Sequence, residues 1–142
     1  MSAKPTLKLS TFRIGEKRKK GEGLRLGTVR FLPRGVRKAD YARRDLFDVW
    51  FPLLAPSREL FRWYMSKPMS DRRYAEYGRR YRREMTANSD RRQALAVLAA
   101  LARQTPIAIG CYCDTPHCHR FVLEQLIKEQ AAAVAPGAAP GA

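Results

Sequence analysis

The segment PIAIGCYC, Pro106 to Cys113, most narrows what this chain can fold into. It is a short apolar run with one helical pattern before it and another after it. A strand covered on both faces reads this way, since neither face needs polar residues for water. Strands flanked by helices belong to layered α/β arrangements, in which at least part of the sheet is parallel.

The rest of the chain supplies the other elements. LKLSTFRI, residues 7 to 14, alternates and reads as a first strand, followed by a basic loop from Glu16 to Gly23. LRLGTVRFL, Leu24 to Leu32, reads as a second strand closed by Pro33-Arg34-Gly35. DLFDVWFPLL, Asp45 to Leu54, reads as extended, and Pro52 restricts it to an edge or a short strand. The middle is helical. Ser57 is placed to cap Arg58–Met65, a second helix spans about Ser70 to Ala87, and a third starts near Asn88-Ser89-Asp90. Leu95, Leu98, Leu101 and Ala102 form the apolar face of the third helix. After the buried strand, Thr115 is placed as N-cap and Pro116 as first residue of a last helix that buries Phe121, Val122, Leu126 and Ile127. Trp50, Phe51, Phe61 and Trp63 are expected in the core. The fold class is therefore a single α/β domain over residues 1–130, three-layer-like, with a small, partly parallel sheet and a helical middle. Residues 131–142, rich in Ala, Pro and Gly, read as a disordered tail.

A chain of 142 residues can bury a core without disulfide staples. Its three cysteines are odd in number and clustered, which argues against a disulfide framework and for a reducing cytoplasm. The N-terminus lacks the apolar stretch of a signal peptide, and no run reaches the roughly 18 apolar residues of a membrane span. A soluble cytoplasmic protein without membrane partners is expected. The charge is the strongest compositional fact: 28 Lys and Arg against 13 Asp and Glu, a net +15. Such a field attracts nucleic acid or phosphorylated small molecules. Arginine outnumbers lysine, and Ala, Gly and Pro are frequent, so coding bias in a GC-rich genome accounts for part of it.

All three cysteines and both histidines fall in CYCDTPHCHR, Cys111 to Arg120. A strand-to-helix turn is where open α/β sheets place ligands. Three readings compete there. The first, and leading, is an anion site: free N–H groups at a helix start favour a phosphate, and Arg120 can grip one in a bidentate way. The second is thiol chemistry, with Cys113 or Cys118 as nucleophile and His117 or His119 as base. Six residues separate Cys113 from Arg120, off the spacing of a phosphatase-type loop. The third is a metal site, for which Cys111, Cys113, Cys118 and His119 have the right donor atoms for zinc. Cys-x-Cys-x4-Cys-His is compressed, and it has no distant second ligand pair. No motif calls for any other cofactor. His117, beside Pro116, reads as a surface residue, and Cys111 as a small buried hydrophobe.

DRRYAEYGRRYRREM interleaves Arg with Tyr, which suggests phosphate contacts from Arg72, Arg79 and Arg83. Tyr74, Tyr77, Tyr81 and Met85 recur at helical spacing, so they form a core stripe rather than a base-stacking platform. Glu76 with Arg80, and Arg80 with Glu84, are spaced to pair along the helix.

RFLPRGVRK (Arg30 to Lys38), LAPSREL (Leu54 to Leu60), the Tyr/Arg helix and CYC…CHR together resemble the YeaO-like family of bacterial proteins of unknown function. The resemblance runs from about Arg25 to Glu129. It implies a small α/β domain with its site at the CHR turn. Family members often carry an Asp just before the arginine of R-x-x-P-R-G, where this chain has Val29. The resemblance also suggests that Arg30 and Arg34, at the end of the second strand, face the turn and form a basic pocket with Arg120. The alternative for Arg30 is an ion pair with Asp45 or Asp48, and for Arg34 a solvated turn.

Overall fold

The structure, a computed structural model, describes residues 6–133. Four strands run β1 (Leu9–Arg13), β2 (Leu24–Gly27), β3 (Val49–Trp50) and β4 (Ile107–Cys111). Four helices run α1 (Arg58–Met65), α2 (Asp71–Ala87), α3 (Ser89–Gln104) and α4 (His119–Ala133). The sheet order is β1-β4-β2-β3, and every pairing is parallel. Strand β4 is thus interior, with Ile107 opposite Leu9 on one side and Leu24 on the other. All five of its residues are buried, as its unbroken apolar run requires.

The helices cover one face of the sheet. Ile107, Ile109 and Leu26 pack there against Tyr77, Tyr81, Met85, Leu98, Ala102, Leu123 and Ile127. The other face, with Phe12 and Ala108, is covered by the loop chain that carries Val29, Tyr41 and Phe47. Two glycines permit close approach on the sheet. A Cβ at Gly110 would lie 2.3 Å from the Phe12 ring, and one at Gly27 would lie 2.6 Å from the Phe47 ring.

The expected helix starts are the observed ones for three helices. Ser57 Oγ accepts from the Leu60 N–H, Ser70 Oγ from the Arg73 N–H and Asn88 Oδ1 from the Arg91 N–H. The fourth differs. Helix α4 starts at His119, not at Pro116. Thr115 Oγ1 accepts the His117 N–H in a local turn, Tyr64 Oη donates to the His117 carbonyl, and His117 Nε2 meets Asp71 Oδ1 at 2.8 Å. These ties from α1 and α2 hold the segment before Cys118 out of the helix. Helix α4 also runs to Ala133, so the first three residues of the expected tail are helical, with Ala131 buried. The remainder, 134–142, lies outside the described residues.

The second strand ends at Gly27, short of the expected Leu32. The Thr28 N–H still donates to the Gly110 carbonyl, but β3 is two residues long and β4 stops at Cys111, so pairing partners run out. The third segment is extended only at Val49–Trp50, and Pro52 opens a 3-10 turn, Pro52–Leu54. The expected core aromatics are only partly buried. Trp50 and Phe61 are each 39% exposed. Phe51 and Trp63 are half-buried, Trp63 lying under the guanidinium groups of Arg73 and Arg80. The tyrosine stripe is core at Tyr77, Tyr81 and Met85 and half-buried at Tyr74.

Strand β2 also carries a buried charge that its alternation does not announce. Arg25 has no exposed surface, and its guanidinium pairs with Glu22, lies over the Phe12 ring at 4.3 Å and donates to the Asp45 carbonyl. Among the described residues no helix is long and apolar enough to cross a membrane.

Candidate functional site: a thiol–imidazole cluster under an apolar cavity

Strand β4 delivers Cys111 to its carboxyl end, and the start of α4 returns Cys118 and His119 to the same place. The ligand-competent atoms of these three side chains all lie within 4.8 Å of one another. The residues are 7%, 1% and 4% exposed, respectively. Cys113, half-buried, lines the same cavity, and its sulfur lies outside that three-atom group. All three cysteines are free.

The imidazole has a fixed orientation. His119 Nε2 lies 2.7 Å from the Thr28 carbonyl oxygen, which only accepts, so Nε2 carries the hydrogen. That leaves the Nδ1 lone pair bare, 3.9 Å from Cys118 Sγ. Burial pushes the ring's pKa down to about 4, so it is neutral at pH 7. The thiols divide their charge unevenly. Hydrogen bonds from Cys111 and Cys118 hold the Cys113 thiol far below the usual range. The Cys113 contact pushes Cys111 up to about 11, and contacts with Cys111 and Cys113, then burial, push Cys118 well up. Of the three, Cys113 is thus the thiol held toward its charged form.

The turn is held from three sides. Arg120 Nη1 donates to the Cys113 carbonyl at 2.5 Å and approaches Cys118 Sγ at 3.8 Å. Tyr74 Oη donates to the Cys118 carbonyl and Tyr64 Oη to that of His117. Burial pushes both phenols up to about 12, so they remain donors.

A cavity of about 300 Å³ opens over the cluster. Cys111, Cys113, Cys118 and His119 line its buried end. Phe31, Phe61, Met65 and Tyr112, all exposed, line its mouth, with Val29, Tyr64 and Tyr77 between. Val29, at the position where the resembled family often has Asp, is 4% exposed and adds an apolar surface.

The basic pocket expected from Arg30, Arg34 and Arg120 does not assemble as one unit. Arg30 alone of the three lines the cavity. It donates to the Pro56 carbonyl at 3.0 Å and the Ala55 carbonyl at 3.3 Å, not to Asp45 or Asp48. Those carboxylates face Arg18. Arg34 is exposed on its turn. Arg120 is buried beneath the Cys113 carbonyl, against the Phe121 ring. Of the helix arginines, Arg79 pairs with Glu76, while Arg72 and Arg83 are exposed. Arg80 pairs with Glu76 as spaced, but not with Glu84, which accepts from the Ser57 N–H and hydroxyl. His117 is half-buried and braced by Asp71 and the Tyr74 ring rather than free at the surface. Sequence reasoning missed the cavity-wall residues Phe31, Phe61, Tyr64 and Tyr112 and the carbonyl of Thr28. Phe31 and Tyr112 carried one usable signal: both immediately adjoin residues already singled out.

A parallel α/β domain with a buried thiol–imidazole cluster at the end of its central strand is the class that fold and site define. The chain belongs to the active DUF488-N3 subclade, a domain family of unknown function, whose family model matches residues 9–131. No curated protein and no solved structure matches the chain.

Proposed function

We propose that this chain is a metal-dependent protein of the zinc class that handles a small ligand, with Cys111, Cys118 and His119 as the metal's protein ligands. The observation that carries this reading is the orientation of His119. A metal-ligating histidine gives its other ring N–H to a carbonyl or carboxylate, which fixes the tautomer and aims the bare nitrogen. His119 makes that bond to Thr28 and turns Nδ1 toward Cys118 Sγ. Two thiols with one imidazole form a soft donor set suited to zinc, and three protein ligands rather than four are the mark of a site that keeps a position for water or substrate. A zinc ion there would polarise a ligand oxygen or lower the pKa of a bound water. The protein's own part is to hold the donors, exclude bulk water with Phe31, Phe61 and Tyr112, and brace the turn through Arg120, Tyr64 and Tyr74.

The naming of the subclade as active accords with a site that carries chemistry. Within the family, we place the chain beside the YeaO-like proteins on the R-x-x-P-R-G and CHR segments. Arg30 keeps the core of the anion reading, a cation at the cavity wall, while charge alone supports contact of nucleic acid with Arg72 and Arg83.

The test is cobalt(II) titration of the full chain, followed by absorption. One equivalent should produce thiolate-to-cobalt charge transfer and intense tetrahedral bands, and Cys118→Ser and Cys111→Ser should each abolish or weaken them. Absence of such bands in the unsubstituted protein, or their persistence in both variants, refutes the assignment.

A further inference from the structure

We infer that the cavity takes a small organic anion with a planar apolar body, its carboxylate or phosphate group on Arg30 and its ring among Phe31, Phe61 and Tyr112. The inference rests on the preceding reading for which site works, but its charge argument is independent of any metal.

Shape and wall chemistry select the body. Away from the cysteines and His119, the lining is Val29, Phe31, Pro56, Phe61, Tyr64, Met65, Tyr77 and Tyr112, with Arg30 as the only charged member. The Tyr64 and Tyr112 hydroxyls are already spent on the carbonyls of His117 and Phe31. A polyol entering here would find few partners for the water hydrogen bonds it gives up, whereas an aromatic ring gives up none. A volume of about 300 Å³ admits one or two fused rings and excludes the body of a polymer.

Arg30 selects the charge. It is half-buried, and its guanidinium is satisfied only by the neutral carbonyls of Ala55 and Pro56, through Nε and Nη2. Among the described residues no carboxylate pairs with it. The nearby acid, Glu84, is committed to the Ser57 N–H and hydroxyl. Burial, with Arg91 and Arg58 adding like charge, lowers the Arg30 pKa, which means that the cation is under-compensated where it stands. Arg58 lies 5.9 Å over the Phe31 ring and adds positive charge at the mouth. An anion arriving at Arg30 meets a desolvated cation with a free Nη1 edge, the setting in which a charge-assisted hydrogen bond is strongest.

The test uses ligand-observed saturation-transfer NMR with benzoate, phenyl phosphate and benzyl alcohol on the full chain. Benzoate or phenyl phosphate should bind about tenfold or more tightly than benzyl alcohol, and the stronger of the two names the head group. Arg30→Gln should erase that preference, and Arg30→Lys should keep part of it. The chain stripped of metal with EDTA and the chain carrying one equivalent of cobalt(II) should bind the anion alike, which separates this inference from the metal assignment. Equal binding of benzyl alcohol, no binding of any probe, or an Arg30→Gln protein that retains the preference overturns the inference. Anion binding that appears only in the cobalt-loaded chain overturns it too, because the anion would then sit on the metal centre.

Discussion

Zinc should raise the thermal stability of this chain by a margin that depends on Cys118. The three donors are almost wholly buried and already converge within 4.8 Å, so little of the folded protein must reorganise to bind. Binding to the folded state alone stabilises by RT ln(1 + [Zn]/Kd), about 2.7 kcal/mol at 100 times Kd and about 4.1 kcal/mol at 1,000 times. For a domain of this length each kcal/mol moves Tm by about 3–4 °C, so the upper figure predicts a rise of about 12–16 °C. Cys118→Ser removes one donor of three. Loss of a mere supporting partner costs 10–100-fold in metal affinity, so loss of a ligand costs at least about 1.4–2.7 kcal/mol at the same free zinc. The zinc-induced shift should therefore drop by about 5–10 °C or vanish. Cys113→Ser, outside the three-donor set, should retain more than half of it. The assay is thermal unfolding by circular dichroism in a zinc buffer of fixed free concentration, each variant compared with its own metal-free form. A shift below about 2 °C in the unsubstituted chain at high free zinc, or equal shifts with and without the Cys118 sulfur, would refute the reasoning.

Glu22→Ala should cost about 3–5 kcal/mol in urea unfolding, because it strands the Arg25 guanidinium at zero exposure, while Glu22→Leu combined with Arg25→Met should recover most of that. The same pair sets an acid limit: burial pushes the Glu22 carboxyl up, but the Arg25 and Lys19 hydrogen bonds bring it below its ordinary 4.5, so the contribution is full above that pH and is lost as pH falls below it. A double variant that loses stability in acid as steeply as the parent would contradict this. Iodoacetamide should label Cys113 first, since it is half-buried at the cavity while Cys111 and Cys118 are 7% and 1% exposed, and peptide mass spectrometry that finds either of the others modified first would count against the geometry.

What the sequence made legible were features decided by neighbours along the chain. The apolar run of β4 and the caps at Ser57, Ser70 and Asn88 each follow from a few adjacent residues, and each stands where those residues place it. Features decided by distant partners were not legible. Thr115-Pro116 is a sound local helix start, yet Tyr64 and Asp71, far earlier in the chain, hold that segment as a turn. An arginine's partner is equally invisible: Arg30, Arg34 and Arg120 look alike in sequence, and the fold gives one to backbone carbonyls at a cavity, one to solvent and one to the underside of the turn. Arg25 reads as the polar half of an alternation, and only Glu22 three residues earlier hints that it is paired inside.

The compressed spacing Cys-x-Cys-x4-Cys-His looks adverse to a metal when it is compared with sites built from two distant ligand pairs. The fold removes that objection. Cys111 ends a strand that is hydrogen-bonded on both sides, and Cys118 immediately precedes α4, so the intervening turn only has to close between two fixed ends. A short loop between fixed ends loses little entropy on closing. The third donor needs no distant ligand pair either, because His119 follows Cys118 directly and is aimed by the Thr28 carbonyl, which leaves strand β2 at the point where its pairing with β4 ends. The distant element in this site is therefore a backbone carbonyl. A backbone carbonyl is present whatever residue occupies position 28, which is why no spacing rule read from side chains could have found it.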